Sequence, residues 1–274
     1  MSSDKKRNTS QTEPGQNSKK KPMTQALLKP LSRIGAVKVA RYFPGKPVPV
    51  TPGFRNILIH TSGTPLGGDL SPYVLRNEKG QLLENIWQFA KIYRTVTAQR
   101  TKLSRFHPDK IIWTHPSEIH IVDEDTVTRE YWAWRKKGTD NEWAVRYPNG
   151  FEARRNAVAS LWMIDGQLRW LDYIAARKYI YCGEYIRLGP KTVHFRQLLG
   201  LLNEGENLQI VEVDGPDPSL TYGPYASISS GSPGMLMDEA TCKFLLNDPR
   251  KSFGHGFVIA ALLIGGASWM LPDD

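Results

Sequence analysis

The sequence predicts an α+β chain, mainly helical with a small sheet, forming a single globular domain over residues 25–274 behind a disordered basic tail of residues 1–24. Three observations support this. A composition that is 40% hydrophobic and 10% aromatic over 274 residues suffices for an ordinary core. Segments with helical period are longer than the strand-like runs between them. The first 24 residues are Ser, Asn, Gln, Lys and Pro with scarcely an apolar side chain, so they cannot bury enough surface to offset the entropy of ordering.

Charge is placed unevenly. The chain carries +9, and Lys5, Lys6, Arg7, Lys19, Lys20 and Lys21 against Asp4 and Glu13 put much of it in the tail. The mildly basic body suits a polyanionic substrate, and an ordinary solvated surface gives the same count. The chain opens without an apolar h-region, which predicts a cytoplasmic or nuclear location. The apolar run Phe257 to Leu271 is short for a bilayer and is broken at Gly265-Gly266, so it reads as a buried helix and no membrane partner is expected.

In chain order, Val37 to Phe43 has strand character and precedes a segment with Pro44, Pro47, Pro49 and Pro52 that must be extended or turning. Ile57 to Ile59 reads as a short buried strand. The loop TSGTPLGGD (61–69) lacks the glycine spacing of a nucleotide fingerprint. Glu84 to Lys91 then reads as a helix in which Glu84, Gln88 and Lys91 share a face, with Trp87 beside them. That face is either solvated or functional.

Ile111 to Trp113 and Glu118 to Val122 are strand-like, and a helix is expected from Asp123–Asp125 through Tyr131, Trp132 and Trp134. The stretch from Trp134 to Asn149 collects two Trp, a Tyr and four basic residues, a composition that suits stacking on a base and equally suits a packed surface loop. Helices follow over 171–185 and 191–202, then the alternating strand LQIVEV (208–213), then acidic residues at Asp214 and Asp217 where turn chemistry also favours Asp. A Gly/Ser/Pro loop over 223–234 precedes the last helices, near 241–246 and 254–263.

Several chemistries fit poorly. The six histidines are scattered, only His115 and His120 are close, and neither HExxH nor paired cysteines accompany them, so no metal and no cofactor is expected. There is no GxSxG elbow. What remains is carboxylate and lysine chemistry from Glu84 and Lys91 on one helix and Glu212, Asp214 and Asp217 at a strand end.

LSPYVL, a turn at Lys79-Gly80 and ENIWQFAKIY together resemble the start of the NADAR family, in which a Glu, an aromatic, a Gln and a Lys recur at the spacing of Glu84, Trp87, Gln88 and Lys91. Phe195, Leu198 and Leu199, then LQIVEV, a following Asp and GHGFVIAALL (254–263) are similar to the family's later elements in order, so the likeness spans roughly residues 58–265. The chain departs from the family where an Asp and a Trp-Gly pair are usual, having Asp214, Asp217 and Tyr222-Gly223, and it carries a longer insert over 103–168. It resembles more closely a group of phage and large-virus proteins sharing the ENxWQ core, AVRYP and DPRKSFGHGF, from which no activity carries over.

The NADAR resemblance implies a NADAR-like fold and cleavage of an N-glycosidic bond to ribose, in a ribosylated or ADP-ribosylated small molecule or nucleic-acid base. For that chemistry the expected catalytic residues are Glu84, Lys91 and, as the second carboxylate, Asp214 or Asp217, and the expected substrate contacts are Trp87, Gln88, Trp134, Trp143, Arg146 and Glu212. The alternatives are a noncatalytic nucleic-acid or nucleotide-binding protein and a structural viral protein.

Overall fold

The computed structural model describes residues 35–59, 67–104, 106–123, 126–147, 156–216 and 233–272. The expected tail, Asp217 and most of the 61–69 and 223–234 loops lie outside them. In chain order, β1 (Val37–Arg41) and β2 (Arg55–Leu58) precede α1 (Leu83–Phe89). Seven strands follow: β3 (Lys91–Tyr93), β4 (Thr95–Val96), β5 (Gln99–Ser104), β6 (His107–His115), β7 (Glu118–Ile119), β8 (Ile121–Asp123) and β9 (Thr126–Val127). After α2 (Arg129–Thr139), β10 (Ala157–Ile164) and β11 (Gln167–Leu171), α3 (Tyr173–Ala176) continues through a π-helical stretch, Arg177–Cys182, into α4 (Gly183–Leu188). The chain then forms α5 (Val193–Asn203), β12 (Leu208–Glu212), β13 (Gly234–Leu236), α6 (Glu239–Asn247) and α7 (His255–Leu263).

The architecture is α+β, with more sheet than expected. Among the described residues the strands make one four-stranded sheet, one three-stranded sheet and three two-stranded ribbons. The four-stranded sheet has the order β13-β1-β12-β2, with β12 parallel to both neighbours. All five residues of β12 are buried, so LQIVE is covered on both faces and does not alternate with solvent as expected. Its inner polar residues are paired: Gln209 donates to Pro49 and Asn56 and accepts from Thr51. All nine residues of α7 are buried against this sheet, and its Phe, Val, Ile and Leu side chains stabilise by about 1.5–3 kcal/mol each.

The second region is built on aromatics. Phe89, Tyr93, Trp113, Tyr131, Trp134 and Tyr147 form its core, between α2 and the strands β3 to β10. Asp165 and Gly166 both have positive φ, 49° and 75°, which is the backbone twist a tight β10–β11 hairpin requires. The helix α2 begins at Arg129, later than expected, because Thr128 Oγ1 accepts from the Tyr131 amide 3.1 Å away and caps it, while Asp123 belongs to β8.

Between these regions lies α1. Leu83 packs in the sheet core, Phe89 in the aromatic core, and Ile86 and Ala90 in a third cluster with Leu171, Ala176 and Ile180. A helix that meets a core on several sides has no solvated face to spare. Hence Glu84 and Asn85 are buried as well. The helix stops short of Lys91, contrary to expectation, because Ala90 O accepts from Leu161 N (2.8 Å) and Lys91 pairs with Ser160 on β10. The 171–185 segment is likewise not a uniform α-helix, its middle being π-helical.

Candidate functional site

The Glu84 carboxylate, 4% exposed, is held by neighbours on its own helix and beyond. Gln88 Nε2 donates to Glu84 Oε1 at 2.8 Å, and Lys91 Nζ donates to Gln88 Oε1 at 2.8 Å. The amide of Gln88 therefore joins the carboxylate to the ammonium even though Lys91 has left the helix. Lys91 Nζ also lies 4.8 Å from the Trp87 ring centroid, within cation–π range.

Arg146 arrives from the segment after α2, and Asn85 fixes its approach. Asn85 Nδ2 donates to the carbonyls of Asn141 and Trp143, each at 3.0 Å, while Asn85 Oδ1 accepts from Val145 N at 2.8 Å. One buried amide thus pins three points of the irregular segment that leads to Arg146. From there Arg146 Nε lies 3.3 Å from Glu84 Oε1 and a terminal nitrogen lies 3.9 Å from Asp214 Oδ2. The first is a charge contact without hydrogen-bond alignment, and Nε is buried with no hydrogen-bond partner. The guanidinium carbon also sits 5.1 Å from the Tyr73 ring centroid.

Asp214 is positioned by Glu212. The Glu212 carboxylate is fully buried, and its Oε1 accepts from the amides of Val213 (2.7 Å) and Asp214 (2.9 Å). Its Oε2 accepts from Gly256 N at 2.5 Å and lies 3.3 Å from His255 Nδ1, while His255 Nε2 meets the Ile59 carbonyl at 2.8 Å. Glu212 therefore clips the end of β12 to the N-terminus of α7, where a negative charge is favoured. A Cβ at Gly254 or Gly256 would lie 2.8 or 2.9 Å from Glu212 Oε2, so the glycines of GHGF make room for this carboxylate. Glu212, expected to bind substrate, has its oxygens taken up by the backbone and acts as a positioning residue.

Tyrosines close the inner wall. Tyr181 lies in the π-helical stretch, 5.4 Å from Trp87 and 5.2 Å from Tyr185 between ring centroids, and Tyr185 donates to Leu70 O at 3.0 Å. Burial raises both pKa values well above the ordinary tyrosine range, with further contributions from Glu84 and Glu212. Burial and the charges of Glu84 and Asp214 raise Tyr73 too, against the opposing pull of Arg146. Burial opposes the charge on Arg146, but Glu84, Tyr73 and Asp214 outweigh it and its pKa is raised. The arrangement keeps neutral tyrosines and a charged arginine around two carboxylates.

The expected residues divide sharply. Glu84, Trp87, Gln88, Lys91, Arg146 and Asp214 converge, with Glu212 behind them. Asp217 lies outside the described residues. Trp134, expected to stack on a base, is wholly buried with its ring against Phe89 at 4.6 Å and His120 at 4.9 Å, because the aromatic core needs it. Trp143 has its ring under Lys110 Nζ (3.9 Å), and its backbone carbonyl accepts from Asn85 on α1. Tyr73, Asn85, Tyr181, Tyr185 and His255 were not singled out from the sequence. Tyr73 stands inside LSPYVL, and the i, i+4 spacing of Tyr181 and Tyr185 was a signal available there.

A cleft of about 660 Å³, lined by Ile86, Trp132, Arg135, Trp162 and Glu184 among others, is a separate feature, since none of Glu84, Arg146, Glu212 and Asp214 borders it. Converging titratable groups are stronger grounds for a site than volume. No protein-family model, curated protein or solved structure matches the chain. No helix among the described residues is long and apolar enough to cross a membrane.

Proposed function

We propose that the chain is an N-glycosyl hydrolase acting on a ribosyl or ADP-ribosyl N-glycosidic bond, in a small molecule or on a nucleic-acid base. The observation that carries the reading is Arg146 reaching both Glu84, at 3.3 Å, and Asp214, at 3.9 Å, beside Trp87 and Lys91. Ribosyl transfer passes through a cationic, oxocarbenium-like state, which a buried, hydrogen-bonded carboxylate stabilises. Glu84 takes that role. As the bond from the anomeric carbon to the base nitrogen breaks, its electron pair leaves with the base, and water adds to the carbon.

Asp214, half-exposed, accepts a proton from that water and returns it to solvent, and the departing nitrogen takes one from solvent, which balances the hydrolysis. Arg146 and Lys91 bind phosphate or ribose hydroxyls, and the face of Trp87 packs on the sugar or base. The proposal includes a cytoplasmic or nuclear setting, in keeping with the two unpaired buried thiols, Cys182 and Cys242.

The test is release of ADP-ribose, or of ribose phosphate, from a ribosylated base. Glu84→Gln keeps the shape and the Gln88 contact while removing the charge, and is expected to lower the rate at least about 100-fold with unchanged folding by circular dichroism. Undiminished turnover in Glu84→Gln would overturn the reading, as would absence of turnover in the wild type together with salt-sensitive binding to polyanions.

A further inference from the structure

The sequence offered His115 and His120 as the closest histidines and no metal pattern around them. The fold adds Glu118. One ring nitrogen from each histidine and one carboxylate oxygen lie within 4.8 Å of one another. The Nε2 atoms of His115 and His120 approach the same oxygen, Glu118 Oε2, at 2.9 and 3.3 Å.

The rings are held there by packing and not by the sequence spacing alone. His115 ends β6 and stacks on Trp113, with ring centroids 5.4 Å apart and planes 16° from parallel. His120 is fully buried with Tyr131 and Trp134 against it. Backbone pairing fixes all three residues: His115 opposite Gln99, Glu118 opposite Val96, and His120 N donating to Arg94 O at 3.0 Å. Glu118, with 20% of its side chain exposed, is where solvent reaches the cluster.

A second observation makes the cluster more than a hydrogen-bonded group. His115 is 7% exposed, its Nε2 meets only the Glu118 carboxylate, at 2.9 Å, and its Nδ1 is buried with no hydrogen-bond partner. His120 Nδ1 is also buried without a partner. A buried imidazole nitrogen left unsatisfied costs about 1–3 kcal/mol unless something else engages it.

We infer that His115, Glu118 and His120 form a binding site for a divalent transition-metal ion of the Zn²⁺ class. Two imidazoles and one carboxylate suit Zn²⁺ and its neighbours and not Mg²⁺ or Ca²⁺, which take oxygen sets. Zn–N and Zn–O bonds of about 2.0–2.1 Å in a tetrahedron put ligand atoms roughly 3.3 Å apart, close to the two observed approaches to Glu118 of 2.9 and 3.3 Å, and the two imidazole nitrogens, which lie within 4.8 Å of each other, close on the ion from there. Three protein ligands would leave one coordination position for water, and Glu118 is the most exposed of the three. The inference does not depend on the glycosidase reading, because none of the three residues belongs to the Glu84 cluster.

The experiment equilibrates the untagged full chain with Zn²⁺, removes excess by gel filtration, and measures metal by atomic spectrometry. Co²⁺ titration followed by visible absorption reports the ligand set. Wild type is expected to retain about one metal per chain, as a single three-ligand site requires. His115→Ala and Glu118→Gln are expected to weaken binding at least about 100-fold, because loss even of an outer-shell partner can cost that much. Exposed His107 lies outside the cluster, and His107→Ala is expected to bind as wild type does. Zn²⁺ should raise the melting temperature of wild type but not of Glu118→Gln, whose native circular dichroism is the folding control. Lack of stoichiometric uptake by wild type, or undiminished affinity in both folded ligand variants, would overturn the inference. Glu84→Gln should bind Zn²⁺ normally, which separates the two claims.

Discussion

The two halves that meet at α1 use apolar surface differently. Around β12 the core is largely aliphatic and closed by α7, which is buried along its whole length. Around α2 it is aromatic, with Phe89, Tyr93, Trp113, Tyr131, Trp134 and Tyr147 packed ring to ring. Aliphatic runs such as VIAALL have one plausible destination, the interior. Aromatic residues interleaved with Arg and Lys have two, a core or a ligand face, and composition does not separate them. In this chain Trp134 goes to the core and Trp87, half-buried beside Lys91, stays at the site.

That contrast can be broken by substitution. Trp134→Ala is expected to cost about 3–5 kcal/mol of stability, read from denaturant midpoints, with KM unchanged in whatever fraction remains folded. A selective loss of substrate affinity without loss of stability would show that Trp134 belongs to the site after all.

Asn85→Ala probes the joint between the halves. It removes contacts to Asn141, Trp143 and Val145 that are expected to be worth about 1–3 kcal/mol together. It should also lower turnover, by releasing Arg146. Stability loss with full turnover would mean that Arg146 finds its place without this clamp.

The smallest effect near neutrality comes from pH. Burial raises the Cys182 thiol to about 12 and shifts Cys242, Tyr181 and Tyr185 upward too. Folded chains therefore hold these protons where unfolded chains have released them, so stability falls as pH rises from about 9 toward 12 and is unaffected by these groups below about 8. Denaturation midpoints measured from pH 7 to 10.5 check the sign, and a flat profile above pH 9 would contradict it. At pH 8 both thiols should be inert to a thiol reagent until the protein unfolds.

Periodicity and turn residues were enough to locate α1, β1, β2, α5, β12, α6 and α7 to within a few residues, because each carries its own apolar pattern. The ENIWQ run pointed to Glu84, Gln88 and Lys91, whose mutual contacts are local in sequence. Other features depended on residues far apart in the chain. Pairing with β10 ended α1 before Lys91, and packing on two sides buried LQIVE completely. Contacts across the fold likewise made Glu212 a clip to GHGF and joined Arg146 to Glu84 and Asp214. The fold also drew His115, Glu118 and His120 to one point against the aromatic core. By itself the sequence determined which segments could form helices and strands and which residue types were available for chemistry. Only the tertiary structure decided which polar groups were buried together, because burial and the pairing of charges depend on long-range contacts that no local pattern encodes.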